Sequence, residues 1–456
     1  MTIILGAFQL MNPNGTVGTS WRHPKTTSSE YLTIRHWTEL GRKLEQGGFD
    51  FLFFADSYGY PSDREGRTLP QAILDATNIP MADPITLVSA IADATEHLGI
   101  VVTTSTQVEA PPAVARRYGT LDHLTGGRIG WNVVTGAAQN SLADLFGEPM
   151  LGHDARYAKA QEHVDICLRL WEGSWSAGAL VADKQRGVYA DPARIREIDY
   201  EGEYLSSRGV YTLPPGPQRS PLLLQAGSSP IGRAFAARFA EVVFVGAGDR
   251  ALLASQIADI RAKAVECGRS PDAIRFLVGA HFTLGATREE AAAKRADMLR
   301  YATLEQAATM YAWGSGFDLR EFPLDEPIPE LHTETGQSAL DRLNDAATGR
   351  RRTPREVLEE FRDRGINGIM FEGDGPAVAD EVEEFLASVD ADGFLVQPHI
   401  TPGTYDDIIE HLVPELRARG LLAEADATPS GTLRGRIFGR DHLPSDHVGA
   451  SVRFGA

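Results

Sequence analysis

"LLLQAGSSPIGRAFAARFAEVVF", residues 222 to 244, reads as a complete strand, turn, helix and second strand. The leucines form a short buried strand, Gly227, Ser228 and Ser229 make the turn, and Pro230 occupies a first helical position, where a missing N–H costs nothing. Apolar residues then recur at spacings of three and four until Glu241 to Val245 begin the next strand.

The same rhythm runs along the chain. Strands are expected at Ile3 to Phe8, Phe49 to Asp56, Gly99 to Thr104, Arg128 to Thr135, Pro221 to Ala226, Glu241 to Val245, Ile274 to Thr283 and Asp392 to Gln397. Segments such as "DPITLVSAIADAT" and "PPAVARRYGTLDHL" supply the helices between them. Alternation of this kind predicts an α/β fold, a (β/α)8 TIM barrel. A ninth apolar run, "INGIMFEG" (366 to 373), is assigned to a short strand or loop outside the barrel.

Two insertions interrupt the pattern, residues 176–219 and 302–352, and segments this long are expected to be lids or subunit contacts. The barrel is therefore placed at 1–420, with 421–456 as a C-terminal extension, an extended or partly disordered arm.

Composition narrows the function. The chain has 456 residues, 43% apolar and 23% charged, with 62 acidic against 44 basic residues and a formal charge of −18. Such a surface repels nucleic acid and anionic membranes, leaving a small molecule as the expected partner. Neither a basic leader nor an apolar run of about 20 residues is seen, so the expected location is the cytoplasm. Cys167 and Cys267 lack CxxC spacing. With no HxH, HExxH or GxSxG, no metal is expected. "GAGDRA" (246 to 251) fits a degenerate dinucleotide pattern without its downstream acid, and is set aside.

In such a barrel the reaction site lies at the carboxyl ends of the strands. Asp56 and Ser57 follow the second strand; Thr103, Thr104, Ser105 and Gln107 the third; Asn132 and Thr135 lie on the fourth, and His281 and Thr283 on the seventh. Singly, each has a structural explanation as a turn cap, a good strand former or a satisfied amide. Together they mark one face. At the fifth end, Ser228 and Ser229 precede a helix N-terminus, where backbone N–H groups and the helix dipole favour an anion such as phosphate; Ser229 could equally be a simple cap. Asp154 is the expected N-cap of another helix, with His153 just before it and Tyr157 on its first turn. Strand alternation puts Asn132 and Trp131 on opposite faces, so an inward amide implies an indole among the helices.

"WRHP" (21 to 24), "FDFLFFADSYGY" (49 to 60), "EHLGIVVTTST" (96 to 106), "LDHLTGGRIGWNVVTG" (121 to 136), "HDARYAKAQEHVDICLRLWEGSW" (153 to 175) and "QAGSSPIGRAFAARFAEVVF" (225 to 244) occur in this order. The sequence thereby resembles the bacterial luciferase-like flavin monooxygenases, in the group of nitrilotriacetate and dibenzothiophene sulfone monooxygenases, which serve xenobiotic degradation. The resemblance implies a homodimer or dimer of dimers that takes FMN reduced by a separate NAD(P)H-dependent flavin reductase. It also implies O2 as co-substrate, a C4a-peroxyflavin, and an organosulfur or aminocarboxylate substrate. Carried over by position, Asp56, Thr103, Thr104 and Asn132 line the isoalloxazine, while His153, Tyr157, Gly227, Ser228 and Ser229 hold the phosphate.

Phe8, Trp21, Arg22, His23, Tyr58, Tyr60, His281, Trp313 and Phe317 are the substrate-pocket candidates. Gly136 stands where relatives commonly carry Ser, a departure that leaves the substrate open. The rival readings are a deazaflavin-dependent hydride-transfer enzyme, a non-catalytic flavin-binding protein and a metal-dependent barrel hydrolase.

Overall fold

Alternation along each apolar run decides which side chains enter the barrel. The computed structural model describes residues 2–16, 20–63, 65–136, 139–149, 151–246, 249–331, 343, 349–364, 369–423 and 431–455. Its strands are β1 (Ile4–Leu10), β2 (Phe51–Ala55), β3 (Gly99–Ser105), β4 (Ile129–Val134), β5 (Leu180–Asp183), β6 (Val188–Ala190), β7 (Ile198–Glu201), β8 (Ser206–Gly209), β9 (Leu222–Gln225), β10 (Val242–Val245), β11 (Arg275–Leu284), β12 (Met370–Gly373) and β13 (Gly393–Val396).

Eight of them close a ring of parallel pairs in the order β1, β2, β3, β4, β9, β10, β11, β13 and back to β1. These are the eight expected strands, and the fold is a (β/α)8 barrel. β12, from the ninth apolar run, lies outside the ring. It pairs with His281–Leu284 of β11, beyond the stretch Leu277–Ala280 that β13 occupies.

Phe8, Leu10, Phe51, Phe53, Val101, Leu224, Leu277 and Leu395 point inward and form the barrel's interior core. Their neighbours Phe54, Val102, Trp131, Leu223, Phe276 and Phe394 point outward and join the core beneath the helices. Burial of apolar area on both sides of each strand is what holds the layers together, at roughly 25 cal/mol per Å².

Two expectations about the peripheral segments are corrected. The extension does not trail away: Leu433 is fully buried in the interior core at the barrel's base, and the helix Leu433–Phe438 packs Ile437 and Phe438 against it. Burial of these apolar side chains offsets the entropy that would otherwise leave a polar tail disordered; residues 424–430 lie outside the described residues.

The first insertion is no lid. It follows a helix, so the chain has already left the strand ends where the site lies. Its hairpins β5–β6 and β7–β8 run along the outer flank, where Glu162 accepts from the N–H groups of Glu203, Tyr204 and Leu205. In the second insertion the helix Leu304–Ser315 packs on the helix Pro354–Arg364 through Tyr311, Phe317, Val357 and Leu358; 332–342 and 344–348 lie outside the described residues. Among the described residues no helix is long and apolar enough to cross a membrane.

Candidate active site

At the end of β9 the chain turns into the helix Pro230–Phe239. Ser229 is its N-cap, with Oγ accepting from the Gly232 N–H at 3.1 Å. Tyr157, from the helix His153–Leu168, reaches into this turn. Burial raises the pKa of its phenol, against hydrogen bonds with Ser229, Thr135 and Gln225 that lower it.

Glycine is required here. A Cβ on Gly227 would come within 2.3 Å of Gln225 Nε2 and 2.7 Å of the Tyr157 hydroxyl, and one on Gly232 within 2.7 Å of the same hydroxyl. Ala226, Gly227, Ser228, Arg233 and Phe244 border a cavity that begins at this turn. Arg233 donates to the Ser228 carbonyl and pairs with Asp259, bringing a cation beside the turn. His153 sets its ring edge-on to Tyr157, centroids 5.3 Å apart, and its Nδ1 lies 2.9 Å from Asp154 Oδ1. The helix starts two residues earlier than expected: Gly152 is the N-cap, and Asp154 lies in the first turn, where its charge suits the dipole.

On β4, Asn132 faces the interior and Trp131 the helices, as alternation requires. The indole donates to Thr104 O at 3.1 Å and its ring packs among Tyr118, His163 and Trp171. Asn132 Nδ2 donates to Thr103 Oγ1 at 2.9 Å, and that hydroxyl donates to Phe54 O at 2.8 Å. This relay fixes the amide so that Oδ1 is left as a buried acceptor with no protein partner among the described residues.

Thr104 turns the other way. Its hydroxyl lies 2.9 Å from Tyr118 Oη, in the helical layer, so it does not join Thr103 and Asn132. Asp56 is partly buried just past β2, with the Ser57 N–H at 2.8 Å. Burial, then the nearby charges of Asp83 and Glu109, push its pKa up to about 7.

Of the substrate-pocket candidates, the structure gathers two. His23 and His281 border one cleft between the mouth of the barrel and the second insertion. His23 Nδ1 accepts from the Lys25 N–H at 3.2 Å, which leaves Nε2 to donate to Asp297 at 3.0 Å. Phe8 stacks on Phe53 inside the barrel at 5.8 Å. Trp21 is 42% exposed and donates to Asp75 O, and Arg22 reaches Tyr301 O. Tyr58 meets Phe146 edge-on while the Tyr60 N–H bonds Ser141, both beyond β2. Trp313 does not border the cleft, and Phe317 packs the insertion.

Sequence reasoning missed His399, Gln306, Gln225 and Arg233. His399 was open to discovery, because "VQPH" ends the last strand as polar as the ends that were read. Gln306 had no local signal, since only packing brings its helix to the cleft.

A closed parallel barrel with buried polar groups gathered at one end defines a barrel enzyme. Residues 15–392 match the family described as luciferase-like monooxygenase. The long-chain alkane monooxygenase of Geobacillus thermodenitrificans is 38% identical over 439 residues, 95% of this chain and 94% of that protein. The dimethyl-sulfide monooxygenase of Hyphomicrobium sulfonivorans is 34% identical over 453 residues, 99% of this chain and 94% of that protein. A crystal structure of riboflavin lyase with modified FMN and substrate riboflavin shares 38% identity and a TM-score of 0.92, covering 99% of this chain and 100% of that one. The chain belongs to the luciferase-like monooxygenase family, and is an oxygenating, flavin-dependent enzyme.

Proposed function

We propose that this chain is the oxygenase of a two-component system. It binds FMN reduced by a separate NAD(P)H-dependent flavin reductase, as a homodimer or dimer of dimers, and uses O2 to oxygenate a small organic substrate. The observation that carries this reading is the β9 turn, a cradle that a single Cβ at Gly227 would fill, walled by Tyr157 and opening a helix N-terminus.

That donor set suits a ribityl phosphate: Ser228, the helix N–H groups and His153 offer donors to an anion. Tyr157 backs the turn, and Ser229 caps the helix at the same time. Asn132 Oδ1 suits an N–H of the flavin ring, and Thr103 holds that amide in place. Asp56, just past β2, is assigned to the flavin ring in this reading. When bound, reduced FMN supplies the electrons that activate O2. The chain's own residues bind and orient it, keep bulk water away and present the substrate.

Relatives named for a long-chain alkane, dimethyl sulfide and dibenzothiophene sulfone all share this fold's family, so similarity alone does not choose among substrates. Organosulfur and aminocarboxylate compounds head the panel to be tried. The test combines the protein with FMN, a flavin reductase and NADH, and follows oxygen use and product with each compound. Absence of FMN binding together with substrate-independent oxygen use overturns the proposal.

A second reading comes from the riboflavin lyase structure, in which riboflavin is itself the substrate. It predicts consumption of riboflavin when it is added to the same mixture, read by mass spectrometry. The F420-dependent alcohol dehydrogenase, 16% identical with a TM-score of 0.57, shares the barrel alone. A deazaflavin enzyme would bind deazaflavin in preference to FMN and turn over without O2.

A further inference from the structure

His281 stands in the inward row of β11 and is 2% exposed. Its Nδ1 lies 3.0 Å from the Gln397 carbonyl oxygen. A carbonyl can only accept, so Nδ1 carries the proton, and in a neutral imidazole Nε2 is then a bare acceptor. Burial lowers the ring's pKa to about 4, with the charge of Arg295 pressing the same way, so the neutral form prevails at pH 7. His281 borders the cleft shared with His23, and its Nε2 is buried with no partner among the described residues.

The neighbours sharpen the recognition. His399 lies almost flat on His281, centroids 4.6 Å and planes 22° apart, and its Nε2 is likewise buried without a partner. Gln306 lines the same cleft, and its Nε2 is a buried donor with no partner among the described residues. Met298, Leu299 and Met310 make the wall between apolar. The cations at the rim are engaged: Arg295 donates to Asp363 O at 3.0 Å and faces Glu372 at 3.5 Å, and Arg362 donates to the Asp363 carboxylate at 2.7 Å. The cleft thus offers an acceptor at His281 Nε2 and a donor at Gln306 Nε2, with His399 Nε2 and Thr16 Oγ1 also buried and without partners among the described residues, beside an apolar wall and cations already paired. An anion finds poor welcome there, and a hydrocarbon or sulfide leaves His281 Nε2 desolvated and unanswered.

We infer that this cleft selects a neutral substrate bearing a group that both donates and accepts a hydrogen bond, a hydroxyl or a carboxamide, whose hydrogen is received by His281 Nε2. The inference rests on the oxygenase reading for the word substrate, and on the cleft alone for the chemistry. His281 is in these terms a specificity residue, and His399 backs its ring.

The test uses the full chain without flavin and three probes of one shape: 2-naphthol, 2-methoxynaphthalene and 2-naphthoate. Calorimetric titration is expected to show 2-naphthol binding about threefold to tenfold more tightly than either other probe, the range of one net hydrogen bond. In His281→Phe that preference should vanish while the ether's affinity holds. Long-range 1H–15N NMR of the wild type, which needs no variant, should find His281 as the Nδ1–H tautomer at pH 7 and its Nε2 resonance moved by 2-naphthol alone.

Equal binding of the ether, tightest binding of the naphthoate, or a proton on Nε2 overturns the inference. So does an Nε2 resonance that 2-naphthol leaves unmoved, because that nitrogen then serves only a water. The two readings fail separately. A chain that prefers 2-naphthol but binds no FMN loses the oxygenase function and keeps the cleft's chemistry; one that oxygenates a substrate while binding ether and naphthol alike loses only the cleft's chemistry.

Discussion

At the base of the barrel Arg434 and Glu241, neither with exposed side-chain surface, meet through hydrogen bonds of 2.7 and 2.9 Å. The remaining donors of that guanidinium go to the carbonyls of Gln218, Asp441, Ser220 and Pro221. At the mouth, Asn132 Oδ1, His281 Nε2, His399 Nε2 and Gln306 Nε2 are as buried and have no protein partner among the described residues. Both ends hide polar atoms from water. The Arg434–Glu241 pair completes its own hydrogen bonds, and the four atoms at the mouth leave theirs for something else to complete, a contrast between a buried pair that supports the fold and polar groups that suit a ligand.

The base follows a rule of its own. Asp50, Glu241 and Asp392 each precede a barrel strand, and each accepts the backbone N–H of a neighbouring strand, from Leu5, Leu223 and Phe276 at 2.8, 3.1 and 2.8 Å. Burial raises the pKa of Glu241, but the charge and hydrogen bonds of Arg434, with the charge of His447 and the Leu223 N–H, together outweigh it and hold the carboxyl below its ordinary value.

The largest effect should come from cutting the base. Arg434→Met strips Glu241 of its counter-charge and should cost about 3 to 5 kcal/mol in urea unfolding, while Arg434→Met with Glu241→Met should recover much of that loss. If the single variant unfolds like wild type, the Arg434–Glu241 pair does not support the fold. At the mouth Ser228→Ala should weaken FMN about tenfold, the worth of one hydrogen bond to a charged group, and change riboflavin less than twofold. Ser228 is the better position to test, because Ser229 also caps a helix and its loss would cost about 1 kcal/mol of stability besides.

Asn132→Leu should lower FMN and riboflavin affinity together by about threefold to tenfold, since it removes a contact to the ring. Its unfolding free energy should move by only about 1 kcal/mol, and a loss of folding with no flavin defect would return Asn132 to the structural class.

In the pH profile the two ends carry opposite signs. Glu241, lowered in the fold, contributes stability that is present at neutral pH and is lost as pH falls through its folded pKa. Asp56, raised to about 7, binds its proton more tightly when folded, so its contribution declines as pH rises from about 4 to about 7. Asp56→Asn should therefore raise stability at pH 8 and leave it nearly unchanged at pH 4. A variant whose unfolding profile between those values still matches wild type would show that Asp56 does not titrate there.

Legibility differed between these ends for a physical reason. The β9 turn, Asn132 facing inward and Trp131 facing outward could all be read from sequence, because strand alternation and helix entry are local. Thr104 was placed with Thr103, although neighbouring strand residues face opposite ways and its hydroxyl belongs to Tyr118. The tail after Gly420 looked unstructured because Arg434 finds Glu241 only 193 residues away along the chain, and nothing local announces that meeting.

Apolar periodicity marked the eight strands of the ring, since each depends on spacings of two to four residues, but it marked the ninth apolar run as well, and only its pairing with β11 leaves that run outside the ring. Tertiary structure decided that the tail seals the base, that the first insertion lies along the flank, and that His281, His399 and Gln306 meet in one cleft. Those outcomes depend on which distant surfaces remove one another from water, and no short stretch of chain contains both partners.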